Sequence, residues 1–109
     1  WRDKIKKKQQ ALRERKQMLL ENAIKCADLL REEFHVKKVF LIGSLLPHHK
    51  IHERSDIDLA VVGLEDEDYF PALRKLYTIL PNGIEIDLIT KETASETMNL
   101  TIEEVGVSI

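Results

Sequence analysis

Cysteine is nearly absent: Cys26 is the only one in 109 residues, so the chain cannot close a disulfide on itself. Its core must be held by burial alone, and a lone thiol suits a reducing, cytoplasmic setting. No apolar run approaches the ~20 residues that a membrane helix needs. No signal peptide is visible either, so the expected location is the cytoplasm, with no membrane partner. Aromatics make up 6% of the chain, and none interleaves with the basic residues after Trp1. That excludes a stacking platform for single strands and argues against direct nucleic-acid binding. Four glycines and three prolines are too few for a low-complexity or fibrous chain, and no internal repeat is present. The chain opens on Trp1 rather than Met, so native residues upstream of it are allowed for.

What is present is charge, unevenly spread. Residues 1 to 16 hold eight Lys or Arg and two acids, a net of +6, against -2 for the whole chain, which leaves -8 on the remainder. A basic arm on an acidic body is either a solvated helix face or a contact for an acidic partner.

The hydrophobic pattern predicts one domain over 1–109, with an N-terminal helix over 1–34 and a core over 39–105. Ile5, Leu12, Leu19, Ala23, Ala27, Leu30 and Phe34 recur at seven- and four-residue steps, one face of a long amphipathic helix whose first turns are expected to fray or await a partner. Cys26 sits on that helix beside Ala27 and reads as a small core residue. A strand over Val39 to Ile42 ends at Gly43, and "DIDLAVVG" is a second strand stopped by Gly63. Between them lies a polar loop opened by a short helical turn. "EDEDYFPALRKLYTIL" gives acids in a first turn, then Phe70, Leu73, Leu76, Tyr77 and Leu80 at helical spacing. "IEIDLIT" is a third strand, and a last helix begins near Thr93 or Ser95 before a short tail. The order α-β-β-α-β-α specifies an α/β or α+β layer fold, a small sheet flanked by helices.

Three carboxylates fall on these strands. Asp56 and Asp58 are two apart, so strand alternation projects both to one side, and Asp87 arrives from the next strand. Ionised and unpaired, such groups would cost several kcal/mol each to bury. Raised pKa values would relieve this, or a cation would, and oxygen-only ligands suit Mg²⁺, which also takes substrate phosphates. Gly43 allows close backbone approach, and Ser44 after a strand can cap a helix whose free N–H groups bind phosphate. A phosphate cradle beside a carboxylate cluster describes phosphoryl or nucleotidyl transfer. His48, His49 and His52 raise zinc, but with no cysteine ligand beside them they read as solvated or as contacts to nucleotide or partner.

Gly43-Ser44, then eleven residues, then Asp56-Ile57-Asp58-Leu59, resembles the signature of the DNA polymerase-beta-type nucleotidyltransferase superfamily. "SDIDLAVVG" and "IEIDLI" are most similar to its minimal nucleotidyltransferase (MNT) group, and the resemblance spans roughly residues 20 to 105. It implies a small mixed sheet flanked by helices and Mg²⁺-dependent transfer of AMP from ATP. Asp56, Asp58 and Asp87 would hold two Mg²⁺ ions (Mn²⁺ as a substitute), and Asp87 would also help deprotonate the attacking hydroxyl. Gly43 and Ser44 would hold the triphosphate. Many relatives carry a basic residue soon after Gly-Ser. Here Leu45-Leu46-Pro47 follows, which shifts that task to Lys50 or Arg54, with Ser55 beside them. MNT proteins often act as antitoxins of HEPN ribonuclease toxins, attaching AMP to a toxin tyrosine. That implies a hetero-oligomer with such a toxin. Two alternatives stand beside this reading: a binding module of the same fold that neutralises a toxin by occlusion, and nucleotidyl transfer to a small molecule.

Overall fold

A computed structural model describes residues 2–43 and 55–109. Of the expected loop over 45–55 all but Ser55 lies outside the described residues, with Lys50, Arg54 and the histidines His48, His49 and His52, and so does Ser44.

Helix α1 runs unbroken over Arg2–Phe34, 33 residues. At 1.5 Å per residue this is ~50 Å of helix, and the longest dimension of the molecule is 52 Å. The helix has two halves. Leu19, Ala23, Cys26, Ala27 and Leu30 are buried, whereas every residue from 2 to 17 is exposed, with Leu12 at 60%. The apolar stripe therefore packs only in its second half. The first turns stay helical although none of the described residues covers them. The helix ends at His35, which takes the left-handed conformation (φ 58°), while the Val36 N–H returns to the Leu30 carbonyl at 3.3 Å. A left-handed residue just past the last turn is a common way for a helix to stop.

Strand β1 (Lys38–Ile42) and strand β2 (Ile57–Val62) pair antiparallel. A short 3₁₀ turn at Asp66–Asp68 leads into α2 (Tyr69–Ile79), so the acids precede the α-helix rather than forming its first turn. Strand β3 (Ile86–Thr90) lies parallel to β2, and α3 (Glu96–Val105) follows. The Ser95 side chain accepts from the Met98 N–H, an N-cap in the expected place. The expected tail forms an added strand, β4 (Val107–Ser108), on the free side of β1. The sheet is mixed, ordered β3-β2-β1-β4.

Strand alternation divides the core. Leu59, Val61, Val39, Leu41 and Leu88 face α1 and α2, joining Leu30, Ala72 and Leu76 in the larger cluster. Ile42 and Ala60 face the other way, toward Ile102 of α3, with Phe40 and Ile89 packed around them. Truncating a core leucine such as Leu59 to Ala costs roughly 2–5 kcal/mol. Cys26 is fully buried, which pushes its thiol up to about 11. Of the α2 stripe, Leu76 and Leu80 are buried, but Phe70 is 69% exposed. Among the described residues no helix is long and apolar enough to cross a membrane.

Strand β3 is a sheet edge, and two tyrosines cover its outward backbone. Tyr69 Oη donates to the Leu88 carbonyl at 2.7 Å. Tyr77 Oη accepts from the Ile86 N–H at 3.2 Å and lies 3.4 Å from the Ile86 carbonyl. Helix α2 thus engages backbone groups at Ile86 and Leu88 that an open edge would offer to another chain.

Candidate active site

The parallel pairing of β2 with β3 sets Asp58 opposite Asp87 in register. Both are second in their strands and share parity with Ala60 and Ile89, so both lie on the sheet face that carries α3. On the other side of β2, the register partner of Asp58 is Ile42, the last residue of β1. Gly43 follows at once with φ 83°, a backbone that favours glycine. The strand end that leads into the expected phosphate cradle is therefore beside the carboxylates.

The three acids differ in setting. Asp58 is 3% exposed, and Ser55 Oγ donates a short hydrogen bond to its Oδ1. Asp87 is exposed, yet its carboxyl is raised above the ordinary value, first by desolvation and then by the charge of Asp58. Asp56 departs from expectation. It precedes β2 in a bend, so strand alternation does not place it level with Asp58. Its Oδ2 accepts the Glu85 N–H at 3.0 Å, and its Oδ1 takes the Arg15 guanidinium at 3.0 Å. Tyr69 stands near enough to Asp87 to feel it: burial first, and then that carboxylate, raise the phenol.

Sequence reasoning thus located Asp58, Asp87, Gly43 and Ser55, which the fold brings to one end of the sheet. It missed Arg15 and Tyr69. Arg15 carried no signal beyond membership of a basic run, and Tyr69 read as one more helix residue.

The donor set is oxygen only and doubly anionic at Asp58 and Asp87, which fits a hard divalent cation. Among the described residues, no three His, Cys, Asp or Glu are gathered into one ready metal cage. At Asp56 the Arg15 guanidinium holds Oδ1 and the Glu85 N–H holds Oδ2. A groove of about 480 Å³ runs along β3, lined by Asp66, Tyr69, Phe70, Leu88, Thr90 and Thr93 among others. It lies toward the far end of the strand from Asp87, and the site rests on the carboxylates rather than on this groove.

Residues 24–109 match the family model described as polymerase beta, nucleotidyltransferase. No curated protein matches the sequence significantly. Several solved structures share the fold. The toxin–antitoxin MntA–HepT is 24% identical, with 82% of this chain and 69% of that one covered and a TM-score of 0.60. A tri-AMPylated Shewanella oneidensis HEPN toxin in complex with MNT antitoxin is 24% identical over 83% of this chain and 70% of that one, TM-score 0.59. A toxin–antitoxin structure with AMP-PNP is 26% identical over 80% and 71%, TM-score 0.62.

Proposed function

The chain belongs to the polymerase beta nucleotidyltransferase family, and from that premise we propose that it transfers AMP from ATP, with Mg²⁺, to a tyrosine of a HEPN-type toxin and so acts as its antitoxin. The observation that carries the reading is the register of Asp58 with Asp87 beside the end of β1. Nucleotidyl transfer needs charge stabilisation where phosphate oxygens collect, and little else from the protein. A bound divalent cation would supply that charge and polarise the reacting phosphate. Asp58 and Asp87 would hold it, and Asp56 would join them once released from Arg15. Gly43 leaves room for the phosphates at the end of β1. Ser55 fixes the orientation of the Asp58 carboxylate. An ordinary tyrosine hydroxyl has a pKa of ~10 and is a weak nucleophile near neutrality. Asp87, whose carboxyl is raised above its ordinary value by desolvation and by the charge of Asp58, is the group to receive that proton.

One similar structure pairs a tri-AMPylated HEPN toxin with an MNT antitoxin and others are toxin–antitoxin structures, which supports the choice of partner. The exposed basic half of α1 would then contact the partner's surface.

The Arg15–Asp56 pair favours a second reading, in which the fold neutralises its partner by occlusion without chemistry. Calorimetric titration with Mn²⁺ separates the two at the level of the site. The enzymatic reading expects binding in the parent and none in Asp58→Asn. Equal binding by both proteins would remove the metal assignment.

A further inference from the structure

Arg15 lies in the exposed half of α1, upstream of the segment that matches the family. It nevertheless reaches across 41 residues of sequence to Asp56 Oδ1 at 3.0 Å. Among the described residues it is the cation that contacts the carboxylate group. Leu19, one turn further on, begins the buried half of the helix and anchors it next to Arg15. The guanidinium is thus tethered at the mouth of the site while its side chain remains 52% exposed.

We infer that Arg15 is a triphosphate-binding residue of this site, parked on Asp56 until a divalent cation displaces it. The inference rests on the nucleotidyl-transfer reading. Three facts lead to it. First, Asp56 and its partner are 27% and 52% exposed, and ion pairs in such settings are weak and exchange readily. Second, a divalent cation at Asp56 Oδ1 would occupy the place of the guanidinium and repel it, so the two cannot share the oxygen. Third, a nucleoside triphosphate arrives with that cation and brings several negative charges. A guanidinium has five N–H donors in a planar fork that matches phosphate oxygens, and only a terminal nitrogen is engaged with Asp56. The same tether that lets Arg15 reach Asp56 keeps it within the volume where the phosphates would collect. In the unloaded protein it neutralises part of the clustered negative charge; in the loaded protein it moves from carboxylate to phosphate.

The test uses the full chain as parent, Arg15→Gln and Arg15→Lys, with two probes read by calorimetry. With Mn²⁺ alone, Arg15→Gln should bind several-fold more tightly than the parent, because the competing cation is gone. With a non-hydrolysable ATP analogue and Mg²⁺, Arg15→Gln should bind about tenfold more weakly, since a charged hydrogen-bond donor to phosphate is lost. Arg15→Lys should recover part of the analogue affinity. A merely structural role for Arg15 would not move the two affinities in opposite directions. Either affinity remaining at the parent's value overturns the inference while leaving the reading of the site intact. A parent that binds neither Mn²⁺ nor the analogue overturns both.

Discussion

Asp58 of β2 and Asp87 of β3 stand opposite each other in the parallel pairing, two carboxylates on one face where the strands begin. The charge of Asp58, added to desolvation, makes Asp87 hold its proton more tightly in the folded chain than in the unfolded one. Its contribution to stability is therefore full below its ordinary value of 3.8 and is lost as pH rises through the raised folded value. Asp87→Asn should melt above the parent near neutral pH, and the gap should close on acidification below 3.8. Thermal melts across that range check the sign; a variant less stable than the parent at neutral pH contradicts it.

The edge of β3 gives a second expectation. Tyr77 Oη accepts the Ile86 N–H and Tyr69 Oη donates to the Leu88 carbonyl, so each hydroxyl satisfies a backbone group on the open side of the sheet. Tyr77→Phe should cost about 1 kcal/mol in urea unfolding. The double variant with Tyr69→Phe should cost roughly twice that and self-associate more readily, because the edge is then uncovered.

The basic half of α1, residues 2 to 17, is exposed along its length. Neutralising Lys6, Lys7 and Lys8 together should leave the melting temperature within about a degree, as expected for exposed charges. Binding to an acidic partner should weaken about three- to tenfold at low salt, with the difference fading as salt rises. A loss of affinity independent of salt would show that these lysines do not act through charge.

Much of this arrangement was legible in the sequence, for identifiable reasons. Alternation over "DIDLAVV" and "IEIDLI" placed Asp58 and Asp87 on strands, and their apolar neighbours fixed the faces. Ser95 announced the start of α3 through its capping chemistry. The α/β layering and the placing of Gly43 near the carboxylates followed from those signals together, and the mixed sheet from the resemblance to the polymerase-beta-type family. Strand β4 was not legible, because Val107–Ser108 is too short to show a period. Asp56 was read as a strand residue, whereas it sits in the bend before β2, where a backbone N–H and Arg15 decide its orientation. The Arg15 contact depends on where a long helix crosses the sheet, which local pattern does not encode. Phe70 had the spacing of a core residue but lies at the start of α2, beyond the sheet's cover.

The central claim is transfer of a nucleotide to a protein partner by the carboxylate site. Its most direct test is intact mass spectrometry of the purified HEPN-type partner after incubation with this protein, ATP and Mg²⁺, beside an Asp58→Asn control. The account predicts that the partner gains the mass of one or more AMP groups on tyrosine, that the control adds none, and that toxicity is suppressed only where the mass appears. A partner that is fully neutralised by the parent without any added mass would contradict it and leave occlusion as the mechanism.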